Sequence, residues 1–178
     1  MWMTLCSAAV FGCRRRTPPS QVLGSADCEC PEAPPAEPLD FSFDPLLEFP
    51  ITSEPMKKSG GKRDGQDWVC TKETCEPGIV VYGPYTEEVP TGRRLVRLWL
   101  RAENFQKPSE EFVGLEVWDA AAEKRLALQG ISAKDAARTD GTAAALVVPF
   151  EAPLEGKLEF RVAWAGDGLL RLRSLQVY

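Results

Sequence analysis

The sequence predicts an all-β domain, a two-sheet sandwich behind a proline-rich linker, and three observations carry that prediction. From about Trp68 onward, apolar residues come in short runs separated by turn residues. Seven such runs follow one another, at residues 78–82, 94–102, 112–119, 125–131, 143–150, 157–164 and 169–177. Several of them alternate apolar with polar residues, the period of a strand with one buried face. Seven or eight short strands in roughly 110 residues fit two packed antiparallel sheets.

The chain begins with an apolar stretch, MWMTLCSAAVFGC, followed by RRRTPPS. Its end, Val10-Phe11-Gly12-Cys13, resembles a bacterial lipobox, where a small residue precedes the cysteine that is lipidated and becomes N-terminal after cleavage. It departs from that pattern in the bulky Phe11 and in lacking Lys or Arg ahead of the apolar run. The resemblance implies a signal segment over 1–13, a lipid on Cys13, and a lipoprotein anchored to a membrane rather than spanning it. No run of 18 or more apolar residues is present to form an ordinary transmembrane helix.

Residues 14–62 read as a disordered linker. Nine of the 15 prolines fall between Pro18 and Pro55, in company with Ala, Glu and Ser, a composition that builds no core and favours extended chain. Within it, residues 39–49 are acidic and aromatic. They are either an apolar patch in open chain or a segment that docks on the domain or a partner. Lys57-Lys58-Ser59-Gly60-Gly61-Lys62-Arg63 closes the linker as a basic hinge, and the domain is expected over 63–178.

Cysteine usage follows the same logic. With Cys6 removed and Cys13 lipidated, Cys28, Cys30, Cys70 and Cys75 remain. Cys70-Thr-Lys-Glu-Thr-Cys75 brackets a turn-sized loop, which predicts a local disulfide and an oxidising compartment. The partners of Cys28 and Cys30 stay open. A four-thiolate zinc site is the competing reading, but C-x-C and C-x4-C match no common zinc module. Trp68 is expected to cover the Cys70–Cys75 bridge.

The strands follow in order. The first ends at Tyr82-Gly83-Pro84-Tyr85, where Gly83 and Pro84 are expected to turn the chain at a sandwich edge and the two tyrosines to pack across the corner. In 94–102, Val96, Leu98 and Leu100 face the core, and Arg97, Trp99 and Arg101 face outward. In 112–119, Leu115 and Val117 face inward and Trp118 lies opposite. Residues 120–127 are read as a turn between strand ends. Leu158, Phe160, Val162 and Trp164 share one core face.

Whole classes of function are excluded. Twenty-one basic against 26 acidic residues give a net charge of -5, which supplies no basic excess for nucleic-acid phosphates. The chain has no histidine, so His-based triads and His metal ligands are absent. No G-x-S-x-G, P-loop or G-x-G-x-x-G occurs. Glu110, Glu111, Asp119, Asp135 and Asp140 fall in expected loops, and no spacing pins two of them together for glycoside hydrolysis. No enzyme activity, cofactor or metal is expected.

Two long stretches carry a family resemblance. GIVVYGPYTEEVPTGRRLVRLWLRA (78–102) and LVVPFEAPLEGKLEFRVAWAGDGLLRLRSLQVY (146–178) resemble galactose-binding-like jelly-roll domains of bacterial carbohydrate-binding proteins. Arg94 stands where an aromatic is usual, and the CTKETC insert is foreign to the pattern. The resemblance implies a jelly roll and a non-catalytic, membrane-anchored glycan-binding module of the cell envelope, facing periplasm or exterior. Its partner would be an oligosaccharide or polysaccharide. Candidate ligand-binding residues are Trp99, with Arg97 and Arg101 beside it, and Trp118 and Arg161. Arg171 and Arg173 would extend a basic stripe, unless these arginines only form ion pairs on a solvated face. The alternative function is a structural or protein-interaction subunit of an envelope assembly.

Overall fold

The computed structural model describes residues 44–137 and 143–178. Cys13, Cys28, Cys30, the aromatic stretch up to Phe43, and Asp140 lie outside the described residues.

Among the described residues there are eleven strands and one short helix. They run β1 (Leu47–Pro50), β2 (Lys57–Lys58), β3 (Lys62–Asp64), β4 (Asp67–Cys70), β5 (Gly78–Thr86), β6 (Gly92–Glu103), β7 (Glu111–Asp119), β8 (Lys124–Ser132), α1 (Ala133–Ala136), β9 (Ala144–Ala152), β10 (Leu158–Trp164) and β11 (Leu169–Val177). One sheet has the order β3-β4-β11-β6-β9, with β1 also paired to β11. The other has the order β2-β5-β10-β7-β8.

The pairing has a simple generator. β7 pairs β8, β6 pairs β9, β5 pairs β10 and β4 pairs β11, all antiparallel. A single long hairpin with its tip at residues 120–123 has these pairs, and rolling it brings β11 beside β6 and β10 beside β7. This is the eight-stranded jelly roll, so the expected fold class holds. The tip is fixed by Asp119, whose Oδ1 accepts from the amides of Ala121 (3.0 Å), Ala122 (3.3 Å) and Lys157 (3.4 Å). Residues 120–123 are a turn as expected, but 124–127, read with it, belong to β8, because they pair with β7.

The core lies between the sheets. Val96, Leu98 and Leu100 of β6 face Leu115 and Val117 of β7 and Leu158, Phe160, Val162 and Trp164 of β10, all buried. The alternation read from the sequence therefore places these side chains correctly.

Two expectations need correction. The sandwich reaches back well before residue 63. β1 pairs β11 from Leu47↔Val177 to Pro50↔Ser174, and Ile51 and Met56 are fully buried. Leu47, Phe49 and Ile51 alternate inward, and β1 pairs on one side only, where proline forfeits no ladder bond. Second, Gly83 and Pro84 do not end a strand at a corner. β5 continues to Thr86, pairing β10 on one side and β2 on the other. Leu158 faces Thr86 and Glu159 faces Pro84, so Tyr85 is the extra residue of a bulge.

The expected disulfide is present. Cys70 and Cys75 are bonded with Cα atoms 5.4 Å apart, and both are buried. Gly61, at φ +92°, sits so that a Cβ there would lie 2.6 Å from Trp68 Nε1 and 3.2 Å from Cys75 Sγ. Trp68 Nε1 donates to the Gly60 carbonyl at 2.8 Å. Trp68 thus flanks the bridge, with the glycine pair seated between them.

Candidate functional site

Strand register sorts the outward side chains of the five-stranded sheet into rows crossing β5, β10, β7 and β8. One row is Pro84, Glu159, Trp118 and Arg125. The next is Tyr82, Arg161, Glu116 and Leu128. The third is Ile79, Ala163, Gly114 and Gly130.

The first two rows are bound together by charge. Arg161 lies with its guanidinium carbon 4.3 Å from the centroid of the Trp118 ring. Its Nε and Nη2 donate to Glu159 Oε2 at 2.9 and 2.6 Å, and Nη1 lies 3.5 Å from Glu116 Oε2. Arg125 holds the other oxygen of Glu116. Glu159 is only 2% exposed, and Arg161 supplies the cation that pairs with it. Burial works against the charge on Arg161, but the hydrogen bond and charge of Glu159 outweigh it and hold the guanidinium above its ordinary pKa. Tyr85 is turned by the bulge to φ +65°, and hydrogen-bonding interaction of its hydroxyl with the Glu159 carboxylate, then burial, pushes the phenol up. Lys57 lies 5.4 Å from the Tyr85 ring centroid.

The third row differs in kind. Gly114 and Gly130 have no side chains and Ala163 only a methyl, so the sheet surface dips there. The Glu111 side chain fills the dip: its carboxylate lies 3.6 Å from where a Gly114 Cβ would be and occupies the place a Gly130 Cβ would take. Exposed Ile79 and Leu128 flank it. The result is a shallow trough with a carboxylate on its floor and a wall of Tyr82, Arg161, Glu116 and Trp118.

The six-stranded sheet has its own outward cluster. Arg97 lies between two rings, 5.2 Å from the Trp99 centroid and 4.7 Å from that of Tyr178. Trp99 Nε1 donates to Gln176 Oε1 at 2.8 Å, and the Tyr178 hydroxyl donates to the same oxygen at 3.0 Å. Trp99 faces outward as expected, half-buried, with a guanidinium on its ring and its N–H occupied.

The five candidate residues therefore do not form one site. Arg97, Trp99 and Arg101 lie on the six-stranded sheet, and Trp118 and Arg161 on the five-stranded one. Nor do the arginines make one stripe. Arg101 and Arg171 share Glu103, Arg171 also reaches Asp64, and Arg173 reaches Asp67. Sequence reading missed Tyr82, Glu116 and the Gly114–Gly130 floor, which the registers of β5 on β10, β10 on β7 and β7 on β8 bring together.

Among the described residues, no group of three or more His, Cys, Asp or Glu is placed to hold a metal, and no helix is long and apolar enough to cross a membrane.

No protein-family model matches this chain, and none of the curated proteins matches it. Solved structures similar to it include a carbohydrate-binding module of Cellvibrio mixtus lichenase 5A in complex with cellotriose. That similarity has a TM-score of 0.45 at 12% identity, over 75% of this chain and 97% of the other. Another is the Clostridium thermocellum endo-1,4-beta-D-xylanase 10B complexed with xylohexaose, with a TM-score of 0.40 at 10% identity over 62% of this chain and 21% of that one. A third is the EclA C-terminal domain, described as a sugar-binding protein, with a TM-score of 0.39 at 14% identity over 90% of this chain and all of the other. The fold assignment itself rests on the strand pairing.

Proposed function

We propose that this chain is a non-catalytic glycan-binding module of the bacterial cell envelope, tethered through Cys13. It takes an oligosaccharide on the outer face of the five-stranded sheet. The observation that carries this reading is the trough beside Trp118. A sugar ring needs an apolar face to lie on and polar groups for its hydroxyls. Here the half-buried Trp118 and Tyr82 supply the first, and Arg161, Glu116 and Glu111 supply the second. The Glu111 side chain lies across the Gly114–Gly130 floor, so a ring would rest above it, against that carboxylate. The tether rests on the lipobox resemblance, and the buried Cys70–Cys75 disulfide is the form cysteines take outside the reducing cytosol.

Glycan-array screening of the full chain, followed by calorimetric titration, tests the site. Gly114→Val should raise the floor; its Cβ alone would meet only ordinary contacts, the nearest being Glu111 Oε1 at 3.6 Å. It and Trp118→Ala should each weaken binding about tenfold or more, roughly the worth of one lost ring contact, while Trp99→Ala leaves binding unchanged. A wild-type chain that binds nothing on the array removes the glycan reading. Cys13→Ser should release the protein from membranes, and undiminished membrane association would remove the tether.

One observation favours a second reading, a protein-interaction subunit. Ile79 and Leu128 are 46% and 55% exposed on either side of the trough, a start for an apolar contact patch. A blank array, together with an envelope complex dispersed by Leu128→Lys, would select it.

A further inference from the structure

The outer face of the six-stranded sheet carries a groove of about 660 Å³ at one end. Leu95, Pro149 and Tyr178 give it apolar walls, and Arg93, Arg94 and Glu151 lie at its rim. Arg94 bonds only carbonyls, those of Pro90, Arg93 and Thr91, at 2.8–2.9 Å, so its positive charge is held in place beside the groove. Arg93 is exposed.

The groove opens where the chain enters the sandwich. The Leu46 amide donates to the Val177 carbonyl at 2.7 Å, next to Tyr178, and Leu46 is 52% exposed. The residues that precede Asp44 read Leu39-Asp40-Phe41-Ser42-Phe43. Five extended residues span up to about 17 Å. From β1 across β11 and β6 to β9 is three strand spacings, about 14 Å. In extended chain, Phe41 and Phe43 point the same way, and Asp40 and Ser42 the other.

We propose that Leu39–Phe43 of the same chain docks in this groove, with Phe41 and Phe43 against Leu95, Pro149 and Tyr178, and Asp40 at the Arg93–Arg94 rim. Length, the point of entry, apolar match and charge sign all agree on this occupant.

Hydrogen exchange of the full chain, read by mass spectrometry, tests it. Amides of residues 39–43 should exchange about tenfold or more slowly than free chain. Phe41→Ser/Phe43→Ser should abolish that protection. So should Pro149→Asp, an exposed position on an edge strand, while β6 and β9 amides stay protected and show the fold intact. Free-chain exchange at 39–43 in the wild type overturns the proposal. So does protection that survives Pro149→Asp, or that fades on dilution, which would mark a second copy as the occupant.

Discussion

Arg161 stacks its guanidinium 4.3 Å from the Trp118 ring centroid while two of its nitrogens reach one oxygen of Glu159. One cation thus serves an aromatic face and a buried carboxylate at once. Arg161→Met keeps much of the stem and removes the charge. Glu159, 2% exposed, is then left without its cation, at a cost of about 3 kcal/mol. Pairing it with Glu159→Gln should recover much of that loss. Urea unfolding of the two single variants and the double checks this. A double variant no better than Arg161→Met would show that the stack on Trp118, not the carboxylate, is what Arg161 supports.

The two faces of β6 should respond differently. Leu98 is fully buried, so Leu98→Ala should lower stability by about 2–4 kcal/mol through the cavity it leaves. Trp99→Ala loses the Arg97 contact and the bond to Gln176, each worth about 1 kcal/mol. Denaturation midpoints should rank Leu98→Ala below Trp99→Ala, and the reverse order would mean that the Arg97–Trp99–Gln176 cluster holds the sheet more firmly than its core.

The disulfide closes a small ring, since its cysteines are five apart in sequence. Cys70→Ala/Cys75→Ala should therefore cost only about 2 kcal/mol by the loop-length relation. The loss should show first in the exchange of Gly61, whose amide donates to the Thr74 carbonyl at 2.7 Å inside the bridged loop. A much larger drop, with β3 and β4 lost together, would mean that the bridge organises that whole edge of the sheet.

Acid should loosen one loop by a known group. Asp167 Oδ2 accepts from the amides of Gln106 (2.8 Å) and Lys107 (2.9 Å). Burial opposes its charge, but these bonds outweigh that and hold the carboxyl below its ordinary pKa. A carboxylate with a depressed folded pKa stabilises above its unfolded pKa, about pH 4, and loses that contribution as pH falls through the folded value. Stability should therefore fall less between pH 5 and pH 2, approximately the window of that loss, in Asp167→Asn than in wild type. Equal slopes would remove Asp167 from the acid response.

How much of this was legible in the sequence differs along the chain. From Gly78 to Val177 the alternation of apolar residues marks the strands, because each has one face in a common core. β1 to β4 are too short and too rich in proline, glycine and charge to show that period. β1 is a strand because Val177 and its neighbours bind it, and that partner is remote in sequence. The site was legible in pieces. Alternation puts Trp99 and Arg161 outward, but nothing local tells which sheet a strand joins. The roll sends β6 to one sheet and β10 to the other, so Arg161 meets Trp118 instead of Trp99. Nor does local pattern announce that Glu159, in an outward position, would be sealed beneath Arg161.

The rolled hairpin also sets a timetable. Of the four pairs in the long hairpin, only β7 and β8 are close neighbours in sequence, whereas Trp68 and Leu172 pair across more than a hundred positions. Each successive pair closes a longer loop, so the order of assembly runs outward from residues 120–123 and the topology favours slow folding. β11 lies between β6 and the strands β1 and β4. The six-stranded sheet cannot close until residues up to Val177 have been synthesised. A chain growing from the ribosome would stay open for most of its length and lock only after β11 had emerged.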